Sequence, residues 1–161
     1  MRRDHALAKR CGLDDDAVRY LDGRFSRPRA PVAMVAALRA HASAAMDVSD
    51  GLMKDVDRMC RASGAGGRIE AEAVPLSRAA AEVVAAGGAT LQDLLSGGED
   101  YEVVATVPPN ASAAFERIAG EAVVRVSRIG IMTDGPPGAI AVGAAGEPLS
   151  FPKLGWDHFK A

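Results

Sequence analysis

Between residues 43 and 64 the chain reads SAAMDVSDGLMKDVDRMCRASG, a short apolar run that passes without a spacer into an amphipathic segment. Residues 43–48 have the length and composition of a buried strand. A helix is expected from about Asp50 to Ser63, ended by Gly64. Its buried face is Leu52, Val56, Met59 and Cys60, at i, i+4, i+7 and i+8, and Lys54, Asp57, Arg58 and Arg61 then face outward. A strand feeding such a helix is the unit from which helices layered on a sheet are built.

The rest of the chain repeats the alternation. RIEAEAV (68–74) alternates like a strand, and residues 77–87 read as a helix capped by Ser77. TLQDLL (90–95) is a short helix with Thr90 and Asp93 placed as in a capping box. YEVVATV (101–107) is a strand and 111–119 a helix, while AVVRVSRIGIM (122–132), GAIAVGA and EPLSF read as further strands, the last two joined through Ala-Gly. Aromatic residues are only 4% of the chain, so Ala, Val, Leu and Ile must fill most of the interior, which suits helices on a sheet. The fold class expected is α+β with a mixed sheet, and the absence of a fixed-period repeat excludes a solenoid.

A length of 161 residues predicts one domain able to bury a core without disulfides or a structural metal. Residues 1–24 read as two short polar helices, the second opening with Asp14, Asp15 and Asp16, and FSRPRAP (25–31) as a connector before a helix with Pro31 as its first residue. The domain proper is expected from Phe25 to Ala161. A net charge of -2, from 19 basic and 21 acidic residues well mixed, offers no stripe to neutralise a phosphate backbone, so nucleic acid is not an expected partner. No apolar run approaches the roughly 20 residues that cross a bilayer, so no membrane is expected either. Cys11 and Cys60 stand alone without metal-ligand spacing, which predicts a reduced, cytoplasmic setting.

Two stretches carry chemistry. In AMDVSDGLMKDV (45–56), Ser49 can be read as an N-cap and Asp50 as a complement to the helix dipole. Asp47 resists that reading, because inside a buried strand an ionised carboxylate costs several kcal/mol unless it is paired or binds a cation. Two carboxylates flanking a hydroxyl at a strand-to-helix turn suit a hard cation such as magnesium, and the free helix N–H groups suit a phosphate oxygen. In LLSGGEDYEVV (94–104), a glycine turn between helix and strand accounts for the pattern, but Gly97 and Gly98 would also let Glu99 point into a cleft. The tail LGWDHF holds the only Trp, Trp156, which reads either as an apolar anchor or as a stacking surface for a heterocycle, and His158 reads as structural. There is no Walker motif, nucleophile elbow or H-E-x-x-H, and GAGGR (64–68) follows a helix, which makes it a C-cap turn rather than a phosphate loop.

Taken in order, RPRAPVAMVAAL, SAAMDVSDGL, VPLS (74–77), SGGEDYE and the terminal GWDHF resemble the C-terminal half of the bacterial thiamine-monophosphate kinase family, from about Arg24 to Phe159. The resemblance implies the three-layer α/β/α fold of the aminoimidazole-ribonucleotide synthetase superfamily. It also implies phosphoryl transfer from ATP to thiamine monophosphate with magnesium. By resemblance Asp47 and Asp50 are magnesium ligands, Ser49 meets the ATP phosphates, and Glu99 and Trp156 meet the thiamine phosphate. No residue of this half is implied as a covalent catalyst. The family's N-terminal half, which carries most nucleotide and metal motifs and forms the dimer, is expected to lie outside this chain, and residues 1–24 to be the remnant of the connection to it. Two other readings stay open: a sister ATP-dependent enzyme of the superfamily, and a non-catalytic interaction module that keeps the fold.

Overall fold

A computed structural model of the protein describes residues 5–155. Trp156 and His158 lie outside the described residues. The chain opens with helices α1 (His5–Arg10) and α2 (Asp15–Ser26), followed by a 3-10 turn at Val32–Met34 and helix α3 (Val35–His41). Asp14 caps α2 by accepting the Ala17 amide, and Arg78 reaches back to Asp14 at 3.1 Å. The two polar helices expected at 1–24 are present, and α2 runs on through Phe25 and lies against the later helix that begins at Arg78.

Strand β1 (Ala44–Val48) leads to helix α4 (Leu52–Ser63) and strand β2 (Gly66–Glu70), as the run 43–64 predicts. Gly64, at φ 63, ends the helix in the left-handed conformation, so the glycines at 64–67 are a C-cap and a strand start. Helices α5 (Arg78–Ala85) and α6 (Leu91–Ser96) follow, the first capped by Ser77 and the second by the Thr90–Asp93 capping box. The chain then forms β3 (Glu102–Thr106), α7 (Pro109–Glu121), β4 (Gly130–Thr133) and β5 (Gly138–Val142).

The strands divide into two ladders. β1 pairs antiparallel with β3, Ala44 opposite Thr106 and Val48 opposite Glu102. β2 lies between β4, antiparallel, and β5, parallel, which makes that sheet mixed. Helix α4 touches both ladders and carries the core: Leu52, Met53, Val56 and Cys60 pack with Val48, Ile69, Ala71, Leu95 and Ala141. A second cluster joins Met34 and Ala37 to Ala119 of α7.

Three strand expectations fail, each for a physical reason. After Ile69 the sequence AEA lacks β-branched residues, and the chain leaves the ladder for a 3-10 turn at Ala71–Ala73. Of residues 122–132 only the end joins β4. α7 extends to Glu121, Val123 turns at φ 54, and both edges of β2 are already taken by β4 and β5. EPLSF adds a single bridge, Val142 to Pro148, because proline has no N–H to continue a ladder.

The outer face of α4 also differs. Asp57 ties α4 to β5: one carboxylate oxygen accepts the Ala139 amide at 3.0 Å and the other accepts Arg61 Nε at 2.6 Å. The Arg61 bond, and then the Ala139 amide, hold its carboxyl below the ordinary value of 3.8 against the opposing effect of burial. A depressed pKa means that this stabilisation is complete above the ordinary carboxylate range and is lost as pH falls through the folded-state value. Among the described residues no helix is long and apolar enough to cross a membrane.

Two outcomes are expected in urea denaturation. Leu95→Ala, at a side chain only 2% exposed, loses about 2–5 kcal/mol. Asp57→Asn loses about 1–2 kcal/mol at neutral pH, and its difference from wild type shrinks as pH falls below the ordinary carboxylate pKa and vanishes only below the lower folded-state value.

Candidate functional site

The two chemistry-bearing stretches meet backbone to backbone. Beyond the β1–β3 ladder, the Tyr101 amide donates to the Val48 carbonyl and the Glu99 amide to the Ser49 carbonyl, both at 2.8 Å. Glycines make this approach possible. A Cβ on Gly98 would stand 2.8 Å from the Ser49 carbonyl oxygen, and one on Gly51 would stand 2.8 Å from that of Ser96. Gly51 also sits at φ 118, where an L side chain is strained. The turn 48–51 and the loop 96–101 are therefore interlocked by their main chains, with the side chains left to do other work.

Behind the turn lies Asp55, with no exposed surface. Its Oδ2 accepts the amides of Ser49 and Asp50, each at 2.9 Å, and its Oδ1 accepts Arg58 Nη1 at 2.9 Å. The same Arg58 nitrogen lies 2.8 Å from Asp50 Oδ2, and Lys54 Nζ lies 3.2 Å from it. Burial opposes ionisation of Asp50, but the Arg58 and Lys54 bonds outweigh it and hold the carboxyl below its ordinary value. Arg58 is correspondingly raised, chiefly by Asp50. Orphaning the two amides would cost on the order of 1–3 kcal/mol each.

The predicted residues fall in different places. Asp47 is exposed on β1, opposite Val103, and is not the buried strand carboxylate that the sequence pattern indicates. The β1–β3 ladder has only two strands, and the face that carries Asp47 also carries Ala45, exposed, and Val103, 40% exposed. The truly buried carboxylates are Asp50 and Asp55. Ser49 is half-buried and is not the N-cap, a position held by Gly51 without any side-chain bond. Glu99 is exposed and holds φ 72, and Tyr101 holds φ 51. Non-glycine residues in that conformation store on the order of 1–3 kcal/mol each, and they persist where the surroundings over-determine them. Asp100, between them, is exposed as a residue, yet desolvation of its carboxyl, reinforced by the Glu102 charge, pushes it up to about 6. Glu102 is also the ion-pair partner of Arg24 on α2. Gly155 packs directly on the Asp50 carbonyl and the Lys54 side chain, which brings the end of the described chain against the start of α4.

The sequence pattern assigns Asp55 no role, and it turns Lys54 and Arg58 outward. The available signal was spacing: Asp50 to Lys54 at i+4 and Asp55 to Arg58 at i+3 put opposite charges on neighbouring turns. A surface groove of about 300 Å³ lies elsewhere, lined by residues 71–76, Leu91 and Arg125, and includes none of the proposed contacts.

The donor set limits what metal chemistry the site can hold. Among the described residues no group of three or more His, Cys, Asp or Glu could cage an ion. Of the two acids assigned to magnesium by resemblance, Asp47 is exposed and open to a cation, whereas Asp50 Oδ2 already faces Arg58 and Lys54.

A mixed-sheet α+β domain whose strand-to-helix turn is interlocked with a glycine–acid loop defines the class, and the chain belongs to the family of AIR synthase related protein, C-terminal domain, which matches residues 6–143. Within it the chain is 41% identical over 140 residues to the thiamine-monophosphate kinase of Salmonella typhimurium, across 87% of this chain and 42% of the relative. It is 37% identical over 138 residues to the thiamine-monophosphate kinase of Caulobacter vibrioides, across 84% of this chain and 39% of the relative. A solved structure described as AaThiL complexed with AMPPCP and TMP superposes with a TM-score of 0.74 at 29% identity, covering 91% of this chain and 43% of that one. The chain spans about two-fifths of the length of these relatives.

The interlock gives opposite expectations for neighbouring residues. Gly98→Ala, whose new methyl meets the Ser49 carbonyl, loses about 1–3 kcal/mol of unfolding free energy in urea. Glu99→Gly relieves a left-handed backbone and retains wild-type stability or exceeds it, by up to about 1 kcal/mol.

Proposed function

We propose that this chain is the substrate-side part of a thiamine-monophosphate kinase, which passes the terminal phosphoryl group of ATP to thiamine monophosphate and yields thiamine diphosphate and ADP. A phosphate oxygen of thiamine monophosphate bonds to the γ-phosphorus, and the bond from that phosphorus to the β–γ bridging oxygen breaks. The observation that carries this reading is the identity of 37–41% to thiamine-monophosphate kinases over nearly the whole chain, with both chemistry-bearing stretches interlocked in one place. Phosphoryl transfer asks a protein mainly to position groups and to neutralise charge, so a site with carboxylates, cations and no activated nucleophile suits it.

In this reading Ser49 meets the nucleotide phosphates, and Asp47 and Asp50 meet the magnesium ions that arrive with them. Magnesium supplies neutralisation of the charge that develops on the transferring phosphoryl group. Glu99, exposed beyond the interlock, and Trp156 meet thiamine monophosphate. The further sequence carried by its relatives, or a second copy of the chain, completes the nucleotide site. The unpaired cysteines agree with a cytoplasmic setting.

Calorimetric titration of thiamine monophosphate with magnesium and ATP present, against wild type, Glu99→Ala and Trp156→Ala, tests the assignment. Binding by wild type that weakens at least about tenfold in both variants is expected, a loss of roughly 1.4 kcal/mol or more. Equal binding by all three overturns the substrate residues. Competition by another phosphorylated metabolite where thiamine monophosphate fails favours a sister enzyme of the superfamily.

A further inference from the structure

The buried carboxylate of Asp55 is not among the residues that meet substrate in the reading above, and its environment calls for another explanation. Its neighbours on α4, Leu52, Val56 and Met59, are apolar, and an apolar side chain of similar size would fill the same volume without the cost of desolvating a charge. What the carboxylate provides is a set of bonds that no apolar group can make. All three of its partners belong to the turn or to the helix that follows it: the Ser49 amide, the Asp50 amide and Arg58.

Two consecutive amides directed onto one oxygen leave the Ser49–Asp50 peptide a single orientation. That orientation turns the Ser49 carbonyl to the Glu99 amide, at 2.8 Å, and so sets the loop that carries Glu99 as well. Arg58 Nη1 then connects the same carboxylate to the Asp50 side chain, 2.9 Å from one and 2.8 Å from the other. Backbone, side chain and facing loop are thus referred to one buried group.

We propose that Asp55 is the positioning residue of this site. It presets the Ser49 and Asp50 backbone, and through Arg58 the Asp50 carboxylate, so that the turn receives nucleotide phosphates without reordering. The purpose of the preset turn rests on the proposed kinase function, whereas the preset itself does not.

The test uses the full chain, labelled with 15N, as wild type, Asp55→Asn and Arg58→Met. Wild-type Ser49 and Asp50 amide protons are expected to show the downfield shift of a carboxylate acceptor and slow hydrogen exchange. In Asp55→Asn the shift is lost, and exchange at these two amides rises at least about tenfold while Met59 and Ile69 stay protected. Magnesium with the ATP analogue AMPPCP, titrated by amide shifts, then binds at least about tenfold more weakly than to wild type. Uniform loss of protection across α4 and β2 would reduce Asp55 to a core residue and overturn the proposal, as would selective loss with unchanged analogue affinity. Should Asp55→Asn not fold, Arg58→Met decides. Its Ser49 and Asp50 amides remain protected if Asp55 holds them, and lose protection if the ion pair does, which overturns the proposal. A wild type that does not bind the analogue overturns the phosphate-receiving purpose of the turn in this chain, and selective loss of protection in Asp55→Asn still supports the preset itself.

Discussion

A carboxyl group without exposed surface has to find hydrogen-bond partners inside the protein, and the donors that Asp55 finds organise the region around it. Because they are two successive amides and an arginine, satisfying one side chain also fixes a turn and neutralises a second acid, Asp50. Helix α4 carries Asp55 on one side and the apolar residues Leu52, Met53, Val56 and Cys60 among its core contacts, so the polar turn is anchored by the same element that anchors the core. Rigidity at the turn is in this way inherited from hydrophobic packing rather than from the turn's own propensities.

The interlock with the 96–101 loop extends that rigidity across the β1–β3 ladder. Glycine at 51 and 98 removes the side chains that would keep the two main chains apart, and the left-handed backbones of Glu99 and Tyr101 are held in place by amides bound to Ser49 and Val48. Strain at these positions is tolerated because the bonds on either side over-determine it. The arrangement leaves Asp47 and Glu99 open to water while Asp50 and Asp55 are drawn inward, so four acids in two short stretches come to occupy two different environments.

Local signals in the sequence were legible where the physics is local. The α4 stripe, the Gly64 stop, the Ser77 cap and the Thr90–Asp93 box depend on residues within one or two turns of each other, and each stands where its spacing indicates. Signals that depend on distant partners misled. Residues 122–129 alternate like a strand, but α7 runs on to Glu121, Val123 turns at φ 54 and β4 and β5 already flank β2, while RIEAEAV leaves the ladder after Ile69. Asp47 sits in an apolar run that reads as buried, yet the ladder it belongs to has only two strands and its residue is exposed.

By itself the sequence determined the strand-to-helix unit at 43–64 and most of the helices, the α+β class, the two stretches where acids, hydroxyl and glycines concentrate, and the resemblance that the family match bears out. Those features are properties of neighbours along the chain, set by periodicity, capping and backbone freedom. Only the tertiary structure decided which of Asp47, Asp50 and Asp55 is buried, that Lys54 and Arg58 turn to Asp50 rather than to solvent alone, and that Ser49 meets Glu99 through the main chain. Burial and charge pairing depend on what the rest of the fold brings alongside, and no spacing within a single stretch encodes that.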